Sequence, residues 1–425
     1  MKPTVRFEHE LLAVESEHDV WCMLELSAPP APSSLERRPL SVSLVVDRSG
    51  SMAGRKLEVT RACAEFLVQR LTPADRLSLV TYDDEVELRA PLLPIDGNRD
   101  ELLRAVRHIV AGGQTNLSGG WLKGAETLQG APQDSTRRVL LLSDGLANVG
   151  ITQAPALSDA ARSTLEAHGV TTSTIGFGAD FDEDLLAGMA DAGRGSAHFA
   201  ETPDDAPGIF AQEFEDLVSL VAQNVSLEIR PAAEVGFLGV LNEFPVVPVQ
   251  GGVQVQLGDA FADERRRVVF QLHVPSVAAL GVMTVAGLVL RYVSVGQELA
   301  SHEVRVPLLV NRVSADEAVG SAADAEVTEE VVILSSAKAG REAREQADRG
   351  DLAGAERTLS EAVDRLSKTA EGSARAQELL DEAAFWRARS DQFSSGMYDA
   401  MQRKQMLFRE RFMKQSRRSR DDEED

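Results

Sequence analysis

Cysteine, paired histidines, excess positive charge and long apolar runs are all in short supply in this chain. Only Cys22 and Cys63 occur among 425 residues, which excludes a multi-disulfide scaffold, and neither has a Cys or His neighbour at zinc-ligand spacing. One lies in an apolar strand pattern and the other on the apolar side of a helix pattern. They read as two buried thiols of a reducing compartment, a disulfide between them being the alternative. His108, His168, His198, His273 and His302 are scattered and form no close metal pair. Lys and Arg number 44 against 67 Asp and Glu, for a formal charge of -23. Phosphate backbones and anionic lipid surfaces would meet net repulsion, so neither nucleic acid nor membrane is an expected partner. The most apolar stretch, 282–295, is broken by Gly287 and Arg291 and is too short to span a bilayer. It reads as sandwich core. The start of the chain, Met1-Lys2-Pro3-Thr4-Val5-Arg6-Phe7 followed by Glu8, His9 and Glu10, offers no continuous apolar segment of the secretory type, and a cytoplasmic location is expected.

The length exceeds one compact core and implies two or three domains. From Pro39 to Val221 short apolar strands alternate with amphipathic helices, the pattern of a mostly parallel, doubly wound α/β sheet. Ser41 to Val46 reads as the first strand and Lys56 to Leu71 as the first helix, with Val59, Cys63, Phe66 and Leu67 on one face. Asn98 and Glu101 have the spacing of a capping box. Beyond Asn224 the period becomes two, as in antiparallel strands. Thr4 to Val14 and Val20 to Leu26 are also strand-like but have no sheet of their own before the α/β unit. They are expected to pair with the later strands, so that the α/β unit is inserted in an antiparallel β-sandwich. Ser314 to Ala325 reads as a linker, and three helices are expected after it. The break at Gly350-Asp351 resembles that of a tetratricopeptide-type helix pair, without a clear second copy. The expected division is 1–36 and 223–313 for the sandwich, 37–222 for the α/β domain, 314–326 for the linker, 327–396 for the helical region and 397–425 for a frayed, self-screening charged tail.

Asp47-Arg48-Ser49-Gly50-Ser51 directly follows the apolar run Leu44-Val45-Val46, so a carboxylate and two hydroxyls emerge together where a buried strand ends. Thr115 follows Gly112-Gly113-Gln114, and Asp144 follows a second apolar run, Val139-Leu140-Leu141-Leu142-Ser143. Ligands of open α/β sheets collect outside the carboxyl ends of the strands, where both aspartates are expected. Magnesium takes oxygen donors and is commonly held by few carboxylates plus neutral oxygens. Ser49, Ser51 and Thr115 can coordinate without adding charge, and Asp47 and Asp144 contribute negative charge directly or through water. Gly50 permits a sharp turn, and Gly112-Gly113 is expected to give the Thr115 loop freedom to occupy two states. Asp83, Asp84, Asp180, Asp182 and Asp184 lack the spacing of a helix-loop-helix calcium motif and read as turn and cap residues. Trp121 reads as a packing residue, although its closeness to the Thr115 loop leaves recognition open.

Asp-x-Ser-x-Ser, Gly-Gly-x-Thr and Ser-Asp-Gly in this order resemble the metal-ion-dependent adhesion site of the von Willebrand factor type A domain. The resemblance covers about residues 39 to 222 and includes Ile175-Gly176-Phe177-Gly178 and the Phe181 to Ala192 helix, which are similar to bacterial members. It implies a doubly wound fold that binds Mg²⁺, with Mn²⁺ or Ca²⁺ also suitable, through Asp47, Ser49, Ser51, Thr115 and Asp144. It also implies a protein ligand whose Asp or Glu completes the metal sphere. The flanking regions resemble bacterial multidomain members.

The expected function is therefore a divalent-cation-dependent protein-binding scaffold rather than an enzyme. One alternative is a Mg²⁺-dependent phosphoester hydrolase, since a metal at a strand edge can activate water. Against it, no histidine or lysine stands within the motif segments as a base, and neither a Gly-x-Ser-x-Gly elbow nor a phosphate loop is present. The other alternative is a structural adaptor that binds through its helical tail or its sandwich.

Overall fold

The computed structural model describes residues 1–30, 37–295, 299–414 and 417–418. The chain divides into two compact units, Met1–Ala31 with Leu220–Asp425, and Pro32–Ser219. It opens with strands β1 (Lys2–Phe7), β2 (Leu11–Ala13) and β3 (His18–Ser27). The Pro32–Ser219 unit follows with β4 (Leu40–Asp47), α1 (Arg55–Arg70), β5 (Arg76–Tyr82), β6 (Val86–Pro94), α2 (Arg99–Arg107) and α3 (Leu117–Gln129). It continues with β7 (Thr136–Ser143), α4 (Ala154–His168), β8 (Val170–Phe177), α5 (Glu183–Ala192), β9 (Arg194–Ala200) and α6 (Ala206–Val218).

The sheet of this unit has the order β6-β5-β4-β7-β8-β9. Neighbours are parallel except for the antiparallel pair β5 and β6. Strands β4 and β8 are buried along their whole length, as continuous apolar strands must be when helices cover both faces. The first strand sits in the middle, with β5 on one side and β7 on the other, so the winding direction reverses between β4 and β7. Such a reversal leaves a crevice at the carboxyl ends of the two strands. Helix α3 lies unusually close to the sheet because a Cβ at Gly124 would stand 2.4 Å from Val45, and one at Gly120 2.4 Å from Tyr82. Trp121, on the same helix, is fully buried and donates its indole N–H to the Thr172 hydroxyl at 3.1 Å. It is therefore a packing residue with no surface to recognise a ligand. The capping box expected at Asn98 does not form, because the Asn98 amide turns back to donate to the carbonyls of Pro94 and Asp96.

The other unit resumes with β10 (Leu220–Pro231), β11 (Gly236–Val240), β12 (Val246–Val249), β13 (Gly252–Phe261), β14 (Arg265–Val274), β15 (Gly281–Ser294) and β16 (Ala300–Val313). One sheet has the order β1-β3-β14-β11 and the other β12-β13-β10-β15-β16-β2. Their inner faces share one core that includes Cys22, Leu24, Leu227, Ile229, Phe270 and Leu288. The opening strands thus complete the sandwich, and the α/β unit is an insertion in it. The segment expected as one strand from Thr4 to Val14 is broken at residues 8–10, and its halves join opposite sheets. Cys22 and Cys63 are both free and buried. Strand β15 lies between β10 and β16 in the sandwich, and among the described residues no helix is long and apolar enough to cross a membrane.

Among the described residues five helices follow, α7 (Ala315–Val319), α8 (Ala325–Asp348), α9 (Leu352–Ala370), α10 (Ala376–Ser394) and α11 (Ala400–Lys414), and then a two-residue β17 (Arg417–Arg418) paired with β14. The stretch read as a linker contains α7, nucleated by a capping box between Ser314 and Glu317. Helix α11 corrects the reading of residues 397–425 as a frayed tail. Met406 and Met413 are buried in the helical core, and Arg344 of α8 forms a buried ion pair with Glu410 at 3.2 Å. The acidic run 421–425 lies outside the described residues. The helices are joined to the sandwich by a small core of Met23, Val269, Val327 and Leu334. Beside it, Arg267 bridges Glu25 at 2.9 Å and the fully buried Glu330 at 3.1 Å, and Arg375 of the segment before α10 reaches Glu330 at 3.1 Å.

Within the helical region the six-membered ring of Trp386 packs against Gly340, and a Cβ there would stand 2.1 Å from the indole. Gly340→Ala gains about 1 kcal/mol in helix propensity, but overpacking a filled site costs about 1–3 kcal/mol. A lower urea midpoint is the expected result. A raised midpoint would show that Trp386 has room to move.

Candidate metal centre

The crevice between β4 and β7 holds the motif residues because the register fixes them there. Val46 stands opposite Leu142 in the parallel ladder, so Asp47 and the Ser143-Asp144 pair leave adjacent strands together. Asp47 is fully buried, and each of its oxygens has a local donor. The Ser49 N–H donates to Oδ1 at 2.8 Å and the Ser143 hydroxyl to Oδ2 at 2.8 Å. The Ser49 and Ser51 hydroxyls lie 3.1 Å apart, and Ser51 donates to Asp144 Oδ1 at 2.7 Å. Thr115 joins the group through Gly145, where an added Cβ would meet Thr115 Oγ1 at 3.4 Å and Ser51 Oγ at 3.7 Å. All five residues singled out in the sequence, Asp47, Ser49, Ser51, Thr115 and Asp144, thus gather at one strand edge.

The electrostatics of this cluster suit a cation. Burial pushes the Asp47 carboxyl up to about 6, and repulsion from Asp144 adds to it against the hydrogen bonds from Ser49 and Ser143. Two buried carboxylates side by side are costly unless positive charge offsets them. Tyr82 lies behind them, fully buried, and its hydroxyl donates to the Leu142 carbonyl at 3.0 Å. Burial, and then the field of Asp47, hold that phenol far above its usual range. Among the described residues no group of three or more His, Cys, Asp or Glu is placed to hold a metal ion. The donors here are two carboxylates and three hydroxyls, a hard-oxygen set that fits Mg²⁺ or a similar divalent ion.

Several neighbours carry no signal in the local sequence. Lys56, the second residue of α1, pairs its ammonium with Asp144 Oδ2. The motif segments themselves hold no lysine, and Lys56 comes from the next helix, because the chain turns at Gly54, with φ of +79°, and directs the first turn of α1 back to the strand edge. The only local hint was its place at the start of the helix that follows the motif. Asp83 is more than a turn residue. Its carboxylate accepts from Arg48 at 3.2 Å, from Glu85 N–H at 2.8 Å and from Gly113 N–H at 3.1 Å, and its carbonyl accepts from Asn116 N–H at 2.8 Å. Asp84 accepts from Gln114 N–H at 3.2 Å, and Gly50 donates to the Gly113 carbonyl at 2.9 Å. Asn148 accepts the Thr115 N–H at 3.0 Å. The loop expected to be free is thus fastened from both sides. Asp182 is the cap it was read to be, accepting from Leu185 N–H at 2.9 Å.

Comparison with known proteins places this geometry. Residues 41–212 match the von Willebrand factor type A domain. An uncharacterized protein of Synechocystis sp. is 28% identical over 246 residues, 56% of this chain and 58% of the relative. The human inter-alpha-trypsin inhibitor heavy chain H3 is 28% identical over 206 residues, 47% of this chain and 23% of the relative. The chain thus spans less than two thirds of the length of these relatives. Among solved structures, a von Willebrand factor type A protein from Catenulispora acidiphila superposes with a TM-score of 0.67 at 17% identity, over 91% of this chain and 89% of that one. That likeness is one of fold, and it extends beyond the inserted unit to the flanking regions. The chain therefore carries a von Willebrand factor type A domain over residues 41–212.

Proposed function

We propose that this domain is a divalent-cation-dependent protein-binding module of the bacterial multidomain type. In this reading Asp47, Ser49, Ser51, Thr115 and Asp144 form an intact adhesion site that holds Mg²⁺, with Mn²⁺ or Ca²⁺ also suitable, and an Asp or Glu side chain of a partner protein completes the sphere. The observation that carries it is the Ser49–Ser51–Asp144 hydrogen-bond chain at the strand edge beside the buried Asp47 carboxylate. Three neutral hydroxyls and two carboxylates offer five oxygens to an ion that prefers six, which leaves a position for a further oxygen ligand. When bound, the cation supplies the electrostatic attraction, while this chain's residues fix its place and exclude water from one side. Affinity capture of partners in Mg²⁺, in EDTA and with Asp47→Ala tests the reading. Partner retention is expected to fall at least tenfold in EDTA and in the variant, and undiminished capture in both would refute it.

Lys56 beside Asp144 favours one second reading, metal-assisted phosphoester hydrolysis, because an ammonium at a metal edge is also suited to a phosphate. Steady Mg²⁺-dependent turnover of a phosphoester that disappears in Asp144→Ala would select it. The adaptor alternative cannot be tested cleanly by removing residues 326–425, since that cut would uncover Met23 and Val269 and strip Glu330 from Arg267. Surface substitutions on α10 test it without this damage.

A further inference from the structure

We propose that Lys56 is a tethered cation that competes with the divalent ion for Asp144 and so holds the metal affinity of the site down. The inference rests on the metal-binding reading above. Asp144 is fully buried, and its two oxygens are divided between Ser51 Oγ on Oδ1 and the Lys56 ammonium on Oδ2. The lysine side chain is 25% exposed, so its head reaches inward from the rim. Gly178, in the loop after β8, lies beside it, and an added Cβ there would stand in ordinary contact at 3.9 Å from both Cε and Nζ. Arg55, the preceding residue, is directed elsewhere, to Asp204 at 2.7 Å. The ammonium is therefore placed at the metal site by its ion pair with Asp144.

Its electrical effect follows from charge counting. Asp47 and Asp144 together bring two negative charges, and Lys56 cancels one of them at the shared edge. Affinity of oxygen sites for hard divalent ions is tuned by the charge of the ligand set. A set with one net negative charge binds a divalent ion more weakly than a set with two. It also leaves the bound ion more attractive to an incoming carboxylate. Without a metal, the same ammonium neutralises a carboxylate that would otherwise be buried beside another. Lys56 thus stabilises the metal-free domain and opposes the metal, two effects of opposite sign from one contact.

That pair of signs separates competition from a merely structural role. In Lys56→Met, which keeps the aliphatic stem, Mg²⁺ measured alone by calorimetry on the full chain is expected to bind at least tenfold tighter than to the unmodified protein. The thermal midpoint of the metal-free variant is expected to fall, and the rise in midpoint on adding Mg²⁺ to grow. Lys56→Arg, which retains the charge, is expected to keep the weaker Mg²⁺ affinity. If Lys56→Met binds Mg²⁺ no tighter or more weakly, the lysine serves only to position Asp144 and the proposal is overturned. If neither the unmodified protein nor Lys56→Met binds Mg²⁺, the adhesion-site reading falls with it.

Discussion

Glu213→Ala is expected to remove about 3–5 kcal/mol from the stability of the von Willebrand factor type A domain, the usual result of leaving a buried partner charge uncompensated. Glu213 projects from α6 beneath the sheet and is 1% exposed, and it pairs with Arg138 of β7, which is 2% exposed. The guanidinium donates to Glu213 Oε1 at 2.9 Å and to the Thr171 hydroxyl at 3.0 Å, while His198 Nε2 meets Glu213 Oε2 at 2.9 Å. Burial alone would raise the Glu213 carboxyl, but Arg138, followed by His198, overcomes it and brings it down to about 2. A carboxyl depressed in the folded state contributes stability that is complete above its unfolded value and disappears as pH falls through the folded one. The window here runs from about pH 4.5 down to about 2 and carries about 3 kcal/mol. Urea unfolding of the chain across this range is expected to show that loss and Glu213→Gln to lack it. The double variant Arg138→Met with Glu213→Leu is expected to regain most of the stability, because apolar replacement of both partners removes the desolvation cost. A double variant no better than Glu213→Ala would show that the charges themselves are required.

Much of the fold can be read from the chain because its signals are local and strong. Leu44-Val45-Val46 and Val139-Leu140-Leu141-Leu142 are apolar enough to be strands buried on both faces, and each ends in the residues that line the crevice. The insertion was also legible, since Val20 to Leu26 needed a partner and the only unpaired strands came after residue 224. β3 in fact pairs with β14 along its whole length. The break at residues 8–10 was not legible, because whether a strand changes sheets depends on what stands opposite it. Helix α11 escaped for a related reason. Its basic residues dominate the composition, yet Met406, Leu407 and Met413 are spaced to face one side, and Glu410 has a buried partner 66 positions away in Arg344.

The candidate site shows the same division. Its five donors follow apolar runs or glycines and announce themselves by type and order. The groups that fix them are ordinary in the sequence. Asp83, Asp84 and Asn148 look like turn residues, and they are, but their carboxylates and amide also hold backbone donors of the Thr115 loop. Lys56 looks like a solvent-facing helix residue until α1 is placed against the end of β7. Second-layer contacts of this kind join segments about 30 to 90 positions apart and have no period to betray them.

The glycines of that loop lead to the second large effect. Neither Gly112 nor Gly113 has a positive φ, so backbone freedom is not what calls for glycine. Close approach is. A Cβ at Gly112 would stand 1.8 Å from Asp83 Oδ2, and one at Gly113 1.6 Å from Asp84 Oδ1. The two contacts look alike but differ in what can yield. Asp84 is exposed and can rotate into solvent at the loss of one hydrogen bond, about 1 kcal/mol. Asp83 is buried and held by Arg48 and by the N–H groups of Glu85 and Gly113, so moving it leaves charged and polar groups unpaired at about 2–3 kcal/mol or more. The strain in Gly112→Ala is passed directly to Arg48, the residue between Asp47 and Ser49, and to the loop that presents Thr115. Gly112→Ala is accordingly expected to weaken Mg²⁺ binding at least tenfold, equivalent to about 1.4 kcal/mol, while Gly113→Ala stays within about threefold of the unmodified protein. Calorimetric titration of both variants checks the contrast. Equal losses, or a larger one at Gly113, would mean that the Asp83 clamp does not set the geometry of the Thr115 loop.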